Sequence, residues 1–319
     1  MPSAEQQLAS TVVSTLLDTQ EYVRIGDLEA AFVRGIPARA VERIPWQEIN
    51  RQLFVRLEAD AVQILRDAGT AAIHDLPRSQ LAKASPADLK ATFGFGFDET
   101  NPQALAWARQ HAAEFVTEVT GTSRDAVRQV IIRMFTDNVP PAVAARELFA
   151  IIGLDAKSAV AVDNFRRELI AQGQPEKTVI RLVRTYSERL RRRRAQIMAQ
   201  HEAHVIQSRG QLELWRQARA KGLIEDARTL KEWITTKDER LCRICAPMHG
   251  QRRLLDEPFE SPTNGAQAMS PGIHIRCRCA QKLVFAQPNG EFVPPPAPFP
   301  VPTQSRTSRS LRPRVPAIR

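Results

Sequence analysis

Apolar positions recur at three- and four-residue steps through most of the chain, and that period predicts helices. Leu53, Leu57, Ala61, Ile64 and Leu65 mark one helix within residues 46–72, and residues 3–17 carry a shorter one. Pro37 and Pro45 interrupt the chain between them. Asn101 and Pro102 read as cap and first turn of a second block, in which Ala104, Trp107, Ala108, His111 and Phe115 follow at helical spacing. Thr122 and Ser123 predict a new helix start, with Val127, Val130, Ile131 and Met134 as its buried stripe. The chain restarts at Pro140-Pro141, runs as a helix through Leu148 to Gly153, and forms a further helix from Asp155 or Ser158 to Ile170. Residues 175–222 are one long helical pattern with Val179, Leu182, Tyr186, Leu190, Ile197, Val205, Leu212 and Trp215 as its stripe. Past Gly222 the period changes to two: residues 230–235, 251–255 and 277–285 read as short strands.

The expected fold is therefore mostly α. It divides into a helical region at 1–95, a helical domain at 96–175, a long basic helix at 176–222, a small zinc-stabilised α+β subdomain at 223–287, and a tail at 288–319. The tail holds nine prolines and five arginines and has no apolar period, so it is expected to be disordered. Hydrophobic residues make up 43% of the 319, enough for a globular core, and no window of eighteen apolar residues suggests a membrane span. With no secretory signal pattern, the protein is expected to start in a cytosol.

Charge changes this picture locally. The net +10 is concentrated: residues 176–222 hold 12 Lys+Arg against 4 Asp+Glu, and residues 288–319 hold 5 against 1. Arg189, Arg191, Arg192, Arg193 and Arg194 crowd one turn and a half of the long helix. Four consecutive arginines cover every side of a helix, so at least one faces the apolar stripe or marks a break. The set, together with Arg306, Arg309, Arg312 and Arg314 of the tail, is expected to meet DNA phosphates or an acidic partner surface. The alternative is a solvated face and an inert tail.

The chemistry lies between Trp233 and Phe285. All four cysteines are there: Cys242 and Cys245 as CxxC, Cys277 and Cys279 as CxC, with His274 three residues before the second pair. CxxC sets two thiolates on one turn, and a second pair some thirty residues on completes the four donors that zinc prefers. Were residues 277–285 a strand, Cys277 and Cys279 would share a face and point at one ion. Disulfides, unliganded core thiols and a redox pair are the competing readings; sparse cysteine usage, clustering in one stretch and the absence of a βαβ pattern speak against each in turn. One structural zinc per chain is expected, with His274 either replacing a cysteine or hydrogen-bonding a thiolate. His201, Glu202 and His204 on the long helix could suggest a second metal set, but a polar helix-packing network is the expected reading. A hydrolytic zinc would need an open position and a base such as Asp238, Glu239 or His249, whereas thiolate-rich sites are usually closed.

The order of these pieces resembles the phage Mu F-like minor head proteins, also called phage head morphogenesis proteins. The pieces are Trp233 and Thr235, Asp238-Glu239-Arg240, Cys242 and Cys245, His249-Gly250, Pro271, His274, and Cys277-Arg278-Cys279. Ile275 stands where the family usually has proline after the histidine, and His201-Glu202 where it commonly has Thr-Glu. The resemblance runs from about residue 95 to 282. It implies a minor capsid protein of a tailed phage with a structural role in head assembly or DNA packaging, not an enzyme. It further implies the portal and the major capsid protein as partners, perhaps packaged DNA, and a place in the virion head after assembly in the host cytoplasm. The alternatives are a zinc-dependent hydrolase or nuclease built on the C-terminal subdomain, or a free zinc-stabilised nucleic-acid-binding protein.

Overall fold

A computed structural model describes residues 4–34, 37–76, 96–98, 100–136, 139–238 and 240–300. The fold is mostly α with a small C-terminal sheet region, as expected. Among the described residues eight α-helices come first: α1 Ala4–Asp18, α2 Ile25–Val33, α3 Pro37–Glu42, α4 Trp46–Ala71, α5 Pro102–Thr136, α6 Pro141–Ile151, α7 Ala156–Ala171 and α8 Glu176–Ala220. Five strands follow: β1 Thr229–Ile234, β2 Arg252–Arg253, β3 Phe259–Glu260, β4 Gln267–Ala268 and β5 Ala280–Phe285. Contacts divide the chain into two compact units. One comprises Ala9–Leu57 and His111–Gln196, the other Glu58–Gln110 and Ile197–Thr307 with the first residues of the chain; each also takes in residues beyond those described. Helices α1, α4, α5 and α8 therefore contribute residues to both units.

The first unit is all helical. Its core gathers the stripes read from the sequence, with Val127, Val130, Leu148, Ile151, Val183 and Leu190 all buried. α2 packs on α6, and Phe165 of α7 meets Tyr186 of α8 edge-on at 5.0 Å. Asp155 caps α7 by accepting from the Ser158 N–H at 2.8 Å. The helix start expected at Thr122-Ser123 is absent: α5 runs on through it. The hydroxyls of Thr120, Thr122 and Ser123 donate to the carbonyls of Val116, Glu118 and Val119 one turn back, at 2.8, 2.9 and 2.9 Å. Bonded that way, they do not compete for backbone N–H groups, and the helix continues.

The arginine run is split by burial. Arg191 is 1% exposed and Arg194 8%, whereas Arg189, Arg192 and Arg193 face outward. Arg191 donates to the carbonyls of Ala150 (2.9 Å) and Ile152 (3.2 Å), the orphan acceptors at the end of α6. Arg194 donates to Gly153 O (2.8 Å), Val119 O (3.0 Å), Ser123 Oγ (2.8 Å) and Thr122 Oγ1 (2.6 Å). The outward contact expected of all five is thus corrected for these two: they staple the α6–α7 corner to α8. Arg189, Arg192 and Arg193 keep the surface reading. Arg306, Arg309, Arg312 and Arg314 lie outside the described residues.

In the second unit the later part of α8 forms the floor. Trp215, Leu212 and Ala218 pack with Ile73, Leu255 and Leu283. At Gly210 the backbone of α8 lies close against α4: a Cβ there would stand 2.5 Å from Leu65 O. The sheet has order β2-β1-β5, antiparallel, with Trp233 opposite Gln281 and Lys231 opposite Leu283. β3 and β4 make a separate two-stranded pair. Gln281 donates to Ser208 O at 2.8 Å, fixing β5 to α8. Glu213, 2% exposed, bridges Arg209 (2.7 Å) and Arg216 (2.8 Å), and Arg216 reaches Asp256 at 2.9 Å. Lys231 is wholly buried, its ammonium on Leu255 O (3.2 Å) and Met269 O (2.7 Å), 4.9 Å from the Phe259 ring centre. Residues 288–300 carry no helix or strand. Among the described residues no helix is long and apolar enough to cross a membrane.

Candidate metal centre

The CxxC turn is built from its own backbone. Cys242 O accepts from Ala246 N at 3.0 Å, Cys245 O from Met248 N at 3.0 Å, and the Cys245 N–H donates to Cys242 Sγ at 3.3 Å. This winding turns both sulfurs to one side. The second donor segment is not a strand at this point, because β5 begins only at Ala280. Arg276 adopts φ 63°, the single positive φ among the described non-glycine residues, and Cys277 N donates to His274 O at 3.0 Å. So Cys277 and Cys279 converge through a tight left-handed turn rather than by sharing a strand face. Arg278 joins the two segments through an ion pair to Asp238, one arm at 2.6 Å. Thr236 Oγ1 adds a bond to Arg278 O at 3.3 Å.

All five expected donors come together. His274 Nε2 lies 3.0 Å from both Cys242 Sγ and Cys245 Sγ, and Cys245 Sγ lies 4.0 Å from Cys277 Sγ. Two trios form, Cys242-Cys245-His274 and Cys245-Cys277-Cys279, with Cys245 common to both. Two thiolates on one tetrahedral zinc stand about 3.8 Å apart, given Zn–S near 2.3 Å. The Cys245–Cys277 separation fits that, and no two of the cysteines are joined as a disulfide. His274 Nδ1 lies 2.9 Å from Ile275 O; with the proton there, Nε2 presents its lone pair to the cluster. Trp233, Met248 and Phe259 pack with the buried Cys245, Cys277 and Cys279, while Cys242 stays half-buried.

Without a cation the electrostatics differ, and Nε2 keeps a proton as half of an imidazolium–thiolate pair that a metal would have to displace. The Cys242 thiol is drawn down to about 4 by its hydrogen bonds to Cys245 and His274, and His274, bound to that thiolate, is raised to about 9. Cys277 is also pulled down, by hydrogen bonds from Cys245 and Cys279, while Cys245 is pushed up by its bonds to Cys242 and Cys277. Thiolates this close repel one another, so the shifts within the cluster run in opposite directions. A divalent cation removes that repulsion and displaces the remaining protons. The donor set therefore fits zinc.

Spacing along the sequence did not connect the centre with α8. His204 helps to lower Cys277, and His201, itself lowered by burial, feels the charges of Cys277 and His274. The helical histidines belong beside the cysteine cluster instead of forming a site of their own. A signal was present in the sequence, two histidines three apart on the helix that precedes the cysteines, but nothing fixed which face they take. The candidate bases are engaged elsewhere. Asp238 is held down to about 2 by Arg278. His249 Nδ1 accepts from the Thr235 N–H at 3.1 Å. Glu239 lies outside the described residues.

Residues 162–282 match the family model described as Phage Mu protein F like protein. The match begins inside α7, takes in α8, β1 to β4 and all five donors, and ends within β5; residues 95–161, counted in the resemblance above, are not in it. No curated protein and no solved structure matches the chain.

Proposed function

From the Phage Mu F-like character of residues 162–282 we propose that this chain is a minor head protein of a tailed phage. It acts as a structural part of head assembly or DNA packaging, with the portal and the major capsid protein as partners. The observation that carries this reading is the coincidence of the family match with the five-donor cluster and its supporting helix. In this reading the cluster holds one zinc with four of Cys242, Cys245, His274, Cys277 and Cys279. Bound there, zinc supplies a cross-link between two chain segments and keeps the thiolates ionised. The fifth donor and His204 orient the four.

Turnover finds little support. A base for a metal-bound water must stand free near it, yet Asp238 is paired with Arg278 and His249 is bonded and stacked. Arg189, Arg192 and Arg193, exposed on α8, are the described residues offered to DNA or an acidic capsid surface.

The test is purification of heads from cells making tagged protein. Portal and capsid protein should co-purify with it at fixed stoichiometry. The cysteine variants should be lost from heads, whereas His249→Ala and Asp238→Ala particles should keep their titre within a few-fold. A collapse of titre with normal incorporation and normal zinc would establish chemistry at this site and overturn the structural reading.

A further inference from the structure

Residues 291–300, EFVPPPAPFP, lie across the turn that follows the CxxC pair. The Phe299 N–H donates to Ala246 O at 3.1 Å. Its ring stacks on His249, centroids 4.3 Å apart and planes 22° from parallel, and the Lys237 ammonium stands 5.6 Å from the same ring. Arg252 donates to Val293 O. Between these anchors the backbone passes directly over Gly250, which has φ +78°; a Cβ there would be 2.3 Å from Pro296 O. Gly250 is itself fixed to β1, its N–H on Trp233 O at 2.9 Å.

We propose that Ala246, His249 and Gly250, edged by Lys237 and Arg252, form a binding site for an extended proline–phenylalanine segment. Residues 292–300 of this chain are its occupant, and the metal cluster holds the site in shape. The last part rests on the zinc reading above; the first does not. Chemistry favours such an occupant. Prolines lack N–H donors and lose little freedom on docking, so a segment with five of them needs few main-chain bonds to stay in place. The site provides one acceptor, one donor, one flat ring and a floor without a side chain. Metal dependence follows from adjacency: Ala246 is next to Cys245, and its N–H is bonded to Cys242 O.

The experiment uses the full-length chain and a fluorescein-labelled peptide of residues 290–300, read by polarisation. In the wild type the site is filled from within at an effective concentration in the millimolar range, so the peptide binds poorly. Phe299→Ala, in an extended segment whose loss leaves the core intact, vacates the site and raises peptide affinity at least about tenfold. Adding Gly250→Ala to that variant abolishes the gain, and Phe299→Tyr behaves as wild type. Peptide binding no tighter to Phe299→Ala than to wild type, or indifferent to Gly250→Ala, overturns the site. Stripping metal with phenanthroline should release the peptide, and binding that survives overturns the metal dependence. If elemental analysis finds no metal in the purified chain while the peptide still binds the vacated site, the zinc reading fails and the peptide site stands.

Discussion

Replacing Arg194 by methionine tests whether the arginine run is divided into staples and surface. Methionine keeps much of the apolar volume and removes five N–H donors. Arg194 is 8% exposed and bonds two carbonyls and two hydroxyls. Gly153 O, beyond the end of α6, is left buried, and such an acceptor costs about 1–3 kcal/mol. Val119 O and the two hydroxyls retain helical bonds, so their losses are smaller, near 0.5–1 kcal/mol each. Against this, removing the guanidinium spares its desolvation, which already holds the Arg194 pKa below its usual value. The net is a loss of about 2–4 kcal/mol. With a urea slope near 2 kcal/mol/M for a unit of this size, the midpoint falls by about 1–2 M. Arg193→Met, on the exposed side of the same turn, should stay within about 0.5 kcal/mol. Urea titration of both variants, followed by circular dichroism at 222 nm, makes the comparison. Equal midpoints for the two would refute the division, whatever the absolute stability.

Three further outcomes follow from the same geometry. Cys242→Ser and Cys277→Ser should each release zinc, measured by elemental analysis, and raise amide exchange over residues 229–285 while α5–α7 stay protected; undiminished zinc in both variants contradicts the proposed ligand set. Glu147 is raised to about 7 by burial in spite of Arg166 at 2.8 Å, so the folded chain binds more protons than the unfolded one between about 4.5 and 7, and its contribution to stability, full below that window, is lost as pH rises through it. Glu147→Gln should therefore flatten the profile and gain about 2 kcal/mol at pH 8, and an unchanged slope across the window contradicts this. If Arg189, Arg192 and Arg193 meet DNA, neutralising all three should weaken binding regardless of sequence and lower the log–log salt slope by about 2–3, and an unaltered slope rules that face out.

Much of this was legible in the chain. Helical stripes such as Leu53, Leu57, Ala61 and Ile64 are buried where the period places them, because side chains three and four apart share a face whatever the tertiary context. The donors were legible for a similar reason, since CxxC fixes its own turn geometry. The misreadings have one cause: a local pattern was decided by distant partners. Alternation at Cys277-Arg278-Cys279 suggested a strand, but the left-handed turn at Arg276 and the Asp238 pair bend the chain there. Four arginines in a row carry the same charge on paper, and only acceptors at the end of α6 and on α5 separate Arg191 and Arg194 from the rest. His204 had no visible role until α8 was laid beside Cys277. Phe299 gave no sign of its stacking on His249, because composition alone marked its surroundings as tail.

If the cluster holds the proposed zinc, the C-terminal region is tied by a bond that thiols do not cut. Cys245 and Cys277 are 32 residues apart in the chain. A cation joining them ties a loop of that length, and by the chain-entropy argument used for disulfides this removes about 3–4 kcal/mol worth of freedom from the unfolded state. A disulfide there would be open to exchange with free thiols. A metal tie ignores them and answers instead to free zinc and to pH. Such a knot would close without an oxidising step, and a chelator would undo it without breaking a covalent bond of the chain.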